Sequence, residues 1–226
     1  GYTLEAALGI NPNGNAEPDF HGWEVKQFAV ANIERPRSTN AVTLMTPEPD
    51  GGLYHKDLPG FMQLYGYADR KGVEGRINFG GIYKIGMKRH ALTGLIFDLS
   101  GFEPRSGKIT DEAGAIRLLN AEGDVAASWS FWKLLQHWER KHARAAYVPC
   151  AKREPPPEYR FARAAELYVG TDFIRLLKAF AVGAVYLDPA LKCVKTEAGL
   201  GPIHRRCQFR VKHPDLAQLY EAREFA

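Results

Sequence analysis

Glu5, Asp19, Glu24 and Lys26 are the residues of this chain whose types and spacing could do chemistry together. Asp19 stands fourteen positions after Glu5 and opens the run Asp19-Phe20-His21-Gly22-Trp23-Glu24-Val25-Lys26. Two carboxylates and a lysine so spaced form the layout of a metal-dependent phosphodiesterase site. Mg²⁺ is a hard cation, usually held by one or two carboxylates while substrate phosphate and water complete its octahedron. Asp19 and Glu24 would supply oxygens, and the backbone carbonyl of Val25 could add another. An ammonium at Lys26 can orient or deprotonate the attacking water and offset charge building on the phosphate. Glu5 could extend the acidic cluster toward a second cation or position water.

These residues need elements that hold them. Residues 23–30 alternate like a half-buried strand, which puts Glu24 and Lys26 on one face. Asn11-Pro12-Asn13-Gly14-Asn15 is turn chemistry, and the apolar Leu4-Glu5-Ala6-Ala7-Leu8 predicts a helix packed against the strand. Alone, an Asp-x4-Glu-x-Lys run is a weak signal, because exposed charged strand faces are common. His21 lies inside the run, but a histidine in a strand-leading turn is more often solvated or hydrogen-bonded than a ligand. It is left out of the catalytic set.

The pattern of Glu5, Asp19 within Pro18-Asp19, Glu24 and Lys26 resembles the PD-(D/E)XK nucleases. Within them it is similar to the MvaI/BcnI group of type II restriction endonucleases, relatives of the mismatch-repair nickase MutH. Leu4-Glu5-Ala6-Ala7-Leu8-Gly9-Ile10, Glu17-Pro18-Asp19-Phe20, Gly22-Trp23-Glu24-Val25-Lys26, Thr93-Gly94-Leu95 and Gln208-Phe209-Arg210-Val211 follow in that group's order. The match covers most of the chain and is loose in the middle. The resemblance implies an α/β (α+β mixed sheet) nuclease core with a C-terminal DNA-recognition lobe. It also implies hydrolysis of double-stranded DNA with Mg²⁺, or Mn²⁺ as a substitute, leaving a 5′-phosphate and a 3′-hydroxyl. Catalysis would then fall to Glu5, Asp19, Glu24 and Lys26. Resembling enzymes are monomers that nick each strand in turn at short C·G-rich sites with one central pair, in restriction systems with a paired methyltransferase. Two rivals remain: a MutH-like or repair nicking enzyme, and a DNA-binding module that no longer cuts, against which the intact quartet argues.

The chain's 226 residues and 25.2 kDa suffice for a full core. Its 45% hydrophobic and 25% charged residues are ordinary for a globular protein. No apolar run of about 18 residues appears, so no spanning helix is expected. Without a charged-then-apolar leader, and with Cys150, Cys193 and Cys207 odd in number and widely separated, a reducing cytoplasm is expected rather than secretion, a zinc site or a disulfide framework. The abrupt start at Gly1-Tyr2 suggests a domain taken from a longer protein. A formal charge of +4 and a pI near 8.9 are only mildly basic, so the distribution of charge matters more than its sum.

Residues 32–60 read as loop-rich around one strand, Ala41-Val42-Thr43-Leu44-Met45, with Glu48 and Asp50 as turn residues. Residues 61–67 read as a short helix. Strands are expected at 77–86 and 92–99, joined by the basic turn Met87-Lys88-Arg89-His90, either a phosphate contact or a plain hairpin tip. Residues 128–145 read as a helix with Trp129, Phe131, Trp132, Leu134, Leu135 and Trp138 on its apolar face. Its basic stripe of Lys133, His137, Arg140, Lys141 and Arg144 suits a solvated face better than a DNA backbone contact. Pro149 and Pro155-Pro156-Pro157 mark the best lobe boundary, dividing a catalytic lobe, 1–150, from a recognition lobe, 151–226. A helix is expected at 171–182 and a strand at 184–188, ended by Pro189.

From 203 to 213 no acidic residue occurs. As a strand, this segment would turn His204, Arg206, Gln208, Arg210 and Lys212 to one face and Cys207, Phe209 and Val211 to the other. Such donors suit DNA, arginine pairing with guanine and glutamine with adenine. Arg205 has the wrong parity unless a bulge or loop intervenes. The competing reading is a basic edge strand protected by charge against aggregation.

Overall fold

The computed structural model describes residues 2–10, 18–156 and 158–225. The turn expected at 11–15 lies outside them. Along the chain run α1 (Tyr2–Ala7), β1 (Glu24–Ala29), β2 (Ala41–Met45), α2 (Gly52–Lys56), α3 (Leu58–Tyr65), β3 (Tyr67–Ala68) and β4 (Arg76–Gly80). Next come β5 (Ile96–Ser100), β6 (Phe102–Glu103), β7 (Lys108–Ile109), β8 (Ala115–Leu119), β9 (Val125–Ser130) and α4 (Phe131–His142). β10 (Arg144–Arg153), β11 (Glu158–Phe161), β12 (Glu166–Val169), α5 (Phe173–Ala181) and β13 (Val185–Thr196) follow. The chain closes with β14 (Gly199–Leu200), β15 (Cys207–Lys212), a 3-10 turn (His213–Leu219) and β16 (Ala222–Phe225). The protein is a mixed α/β fold with mixed sheets. No helix among the described residues is long and apolar enough to cross a membrane.

Two compact units share the chain: residues 1–42, 135–179 and 211–226 form the first, and 43–134 with 180–210 the second. The first is built on a sheet ordered β1-β10-β12-β16, with β11 paired to β10. β1 runs parallel to β10, and the other pairings are antiparallel. Its core gathers Val25 and Phe28 of β1, Trp138 of α4, Tyr147 of β10, Tyr168 of β12 and Leu176 and Leu177 of α5. The second unit carries the sheet β2-β15-β13-β4-β3, with β14 paired to β13, and a three-stranded sheet β5-β8-β9. Phe61 and Met62 of α3, Phe79, Ile116, Trp129 and Phe209 are buried there.

Pro149, expected to mark a lobe boundary, and Pro189, expected to end a strand, both lie inside long strands. Pro149 sits in β10 where its antiparallel partner changes from β12, paired at 144–147, to β11, paired at 150–153. A missing amide there breaks neither antiparallel ladder. Pro189 likewise falls in β13 between the bridge of Leu187 to Tyr83 and the register that begins at Ala190↔Gly80. A cut at 150/151 therefore falls within β10, and each unit is assembled from separated stretches of chain.

Three further expectations are corrected. The segment at 128–145 is a strand, a helix and the start of another strand. Trp129 closes β9 with its indole donating to the Pro47 carbonyl at 2.8 Å, and the Ser130 hydroxyl accepts from the Lys133 amide at 3.1 Å, capping α4. Trp132, expected in the core, is 67% exposed, whereas Trp138 is wholly buried. β4 and β5 are not a hairpin, since β4 pairs with β3 and β13 and β5 with β8. Arg89 in the intervening basic turn donates to the carbonyls of Gly94, at 2.8 Å, and Leu119, at 3.2 Å, which is a structural role. β15 lies between β2 and β13, so it is not an edge strand.

Candidate active site

β1 owes its position to the turn before it. Phe20 and Trp23 exchange both backbone hydrogen bonds, and the two residues between them, His21 and Gly22, have φ of 47° and 82°. Two successive positive φ values suit a two-residue hairpin turn, where glycine is favoured and histidine tolerated. His21 thus serves the turn. Beyond it, Asp19 folds back onto β1, its Oδ2 accepting from the Val25 amide at 3.1 Å. The pleat then turns Glu24 and Lys26 to one side, with the Lys26 Nζ 2.7 Å from Glu24 Oε1.

Glu24 is 3% exposed, a depth at which carboxylates are rare unless paired. Its Oε1 has Lys26; its Oε2 is buried without a hydrogen bond from any of the described residues, and Lys141 Nζ of α4 stands 3.5 Å from it. Arg144 at the start of β10 lies over the Trp23 ring at 5.9 Å. Parallel pairing sets Glu24 opposite Ala145, Val25 opposite Ala146 and Lys26 opposite Tyr147. Behind the strand, the Tyr147 and Tyr220 hydroxyls are 3.0 Å apart, and the Tyr220 hydroxyl is 2.9 Å from His142 Nδ1. Burial above all, with neighbouring tyrosines and the Glu24 charge adding to it, pushes both phenols above their ordinary range, so they stay neutral donors.

Asp19, Val25, Glu24 and Lys26 are thus brought together. Glu5 is half-buried on α1, anchored by the buried Leu4, and makes no hydrogen bond or ion pair with them. Among the described residues no group of three or more His, Cys, Asp or Glu side chains is close enough to hold a metal. Two carboxylates with an unbonded buried oxygen still fit a hard cation that keeps water and substrate oxygens in its remaining positions. The residue missed by sequence reasoning is Lys141, read there as part of a solvated stripe.

The expected DNA-reading residues divide by position. β15 keeps the predicted parity, with Cys207, Phe209 and Val211 buried, Gln208 and Arg210 half-buried and Lys212 exposed. Arg210 Nη1 bonds Asp188 Oδ2 of β13 at 2.6 Å. His204, Arg205 and Arg206 precede the strand and are exposed, with His204 bridged to Lys192 of β13. They line a groove of about 470 Å³ together with Tyr67, Arg76, Asn78 and Lys192. Arg76 and Lys192 escaped sequence reasoning because their strands carry no basic run. Register alone sets them together, through Val194↔Arg76 and Lys192↔Asn78.

The family model of the MvaI/BcnI restriction endonuclease family matches residues 1–220. A solved complex of restriction endonuclease MvaI with its cognate DNA substrate superposes with a TM-score of 0.72 at 17% identity, over 100% of this chain and 85% of that one. MvaI in the absence of DNA gives 0.58 at 17% identity, over 92% of this chain and 80% of that one. No curated protein sequence matches the chain.

Proposed function

The chain belongs to the MvaI/BcnI restriction endonuclease family and is a type II restriction endonuclease, a sequence-specific phosphodiester hydrolase of DNA, and from that premise we propose that it cuts duplex DNA with Mg²⁺ at the carboxylates of β1. In this reading the site is of the PD-(D/E)XK kind. Asp19 and Glu24 hold the cation, the Val25 carbonyl adds a ligand, and Glu5 assists by positioning water. Lys26 orients the water that attacks phosphorus, while the bond to the 3′-oxygen breaks to leave a 5′-phosphate and a 3′-hydroxyl. When bound, the ion supplies Lewis-acid neutralisation of charge on the phosphate. One observation carries this reading: a buried Glu24 oxygen without a hydrogen bond, beside a lysine already fixed on its partner oxygen. An oxygen so placed is costly in the absence of a ligand.

We further propose that β15 and the segment before it read the target, a short site rich in C·G pairs, through His204, Arg205, Arg206, Gln208, Arg210 and Lys212. The groove-lining Arg76 and Lys192 support that face by concentrating positive charge. We place the enzyme in the cytoplasm as a monomer, in a restriction system with a partner methyltransferase. The test is incubation with plasmid and long phage DNA, with Mg²⁺ or with chelator, followed by sequencing of the ends. Discrete metal-dependent fragments abolished by Lys26→Ala are expected. Uncut DNA under every divalent ion, with folded protein, overturns the Mg²⁺ site.

A further inference from the structure

Lys141 stands in the last turn of α4 and directs its ammonium at the Glu24 oxygen that lacks a hydrogen bond. At 3.5 Å, the contact exceeds the ~2.8 Å of a charge-assisted hydrogen bond. Lys26, by contrast, bonds the other oxygen at 2.7 Å. One buried carboxylate therefore faces two ammoniums, one firmly bonded and one loosely held. The loose one is also the more accessible, its side chain 24% exposed against 15% for Lys26. The backbone beneath it is anchored: Trp138 is wholly buried and stacks on His142 at 4.1 Å, and His142 reaches the Tyr220 hydroxyl. What can move is the four-carbon stem of Lys141, whose head can return to water while the stem lies against the protein.

Resting on the reading of Asp19 and Glu24 as metal ligands, we propose that Lys141 is a placeholder for the divalent cation. In the metal-free protein its ammonium neutralises Oε2 without spending a hydrogen bond on it. Ligation of Oε2 drives the ammonium outward, because an ammonium and a divalent ion repel each other across a single buried oxygen. Lys141 therefore weakens metal binding when no DNA is present. A DNA phosphate at the site gives the displaced ammonium a new partner, so that metal and substrate favour each other's binding.

The test is Mn²⁺ binding to the DNA-free chain, followed by loss of the free-ion electron paramagnetic resonance signal. Lys141→Met is expected to tighten binding about fivefold or more, since it removes a charge next to the ion at nearly constant volume. Lys141→Arg should stay near the native affinity. Lys141→Gln, which keeps a donor but no charge, must also tighten binding, and it decides the matter if circular dichroism shows the Met variant unfolded. Equal or weaker uptake by folded neutral variants overturns the placeholder, as does an absence of uptake by every form. Glu24→Gln separates the two readings. If it binds Mn²⁺ like the native protein, the metal-ligand reading fails. If it loses Mn²⁺ while Lys141→Met matches native, only the placeholder fails.

Discussion

Glu24 and Glu166 are both 3% exposed and lie on strands of one sheet, yet their surroundings differ in kind. Glu166 on β12 accepts from the Tyr168 hydroxyl at 3.1 Å and lies 3.2 Å from His213 Nε2 and 3.0 Å from Arg223 Nη2, so both its oxygens are engaged. These contacts tie β12 to the 3-10 turn and to β16. Burial works to raise the Glu166 carboxyl, but His213, Arg223 and Tyr168 overcome it and hold the group below the ordinary carboxylate range. Glu24 has one engaged oxygen and one without a hydrogen bond, facing a loosely placed cation. A fully satisfied buried carboxylate fastens structure; one left partly satisfied is held for something that arrives.

The largest effect that distinguishes them is on cleavage. Lys26→Ala and Glu24→Gln should each lower single-turnover cleavage by about a thousandfold or more, with the fold intact by circular dichroism. A comparable loss in Glu166→Gln without loss of stability would erase the contrast. The next effect is on stability and runs the other way. Glu166→Ala should cost about 3 kcal/mol in urea denaturation, since it strands the half-buried His213, whose side chain is 10% exposed. Glu24→Ala should cost clearly less, because the partners it releases both have a path to solvent.

The same contrast sets a pH window. The Glu166 carboxyl is lowered in the folded protein from its ordinary value of 4.5. Its stabilisation is therefore complete above that value and is lost as pH falls through the lower folded value. Denaturation midpoints should drop more steeply on acidification below 4.5 in the native chain than in Glu166→Gln. Parallel curves would show that Glu166 is not the group being protonated.

The proposed cutting site was legible because its logic is local. Alternation along residues 23–30 and the turn at His21-Gly22 bring Asp19, Glu24 and Lys26 together within a few residues of chain. Lys141 was not legible as part of it, because only the pairing of β1 with β10, more than a hundred residues apart, brings the end of α4 to Glu24. The same limit hid the two units, whose segments alternate along the chain, and the strands that pass through Pro149 and Pro189, where a missing amide is harmless only because of which strands lie alongside. The start of α4 was the exception. Ser130, three residues before Lys133, is a local capping signal that a long apolar stretch on either side masked.

On the second unit, Arg210→Ala should reduce cleavage by about tenfold while leaving Mn²⁺ uptake unchanged, as expected for the loss of one base or phosphate contact. Unchanged cutting and DNA binding would remove Arg210 from the reading face and leave it as the partner of Asp188.

The smallest expected effect, that of Trp132→Ala, tests whether the backbone that carries Lys141 is held from the buried side of α4. Trp132 and Trp138 occupy one helix and are the same residue type, but the first is 67% exposed and the second fully buried beneath the turn that carries Lys141. Trp138→Ala should cost about 4 kcal/mol through the cavity it leaves, and should disturb Mn²⁺ uptake by loosening the end of α4. Trp132→Ala should change stability by no more than about 0.5 kcal/mol and leave Mn²⁺ uptake at the native level. A cost of Trp132→Ala near that of Trp138→Ala would mean that the outer side of α4 is covered in solution. α4 would then be held from both of its sides, and the anchoring of the turn that carries Lys141 would no longer rest on Trp138 alone.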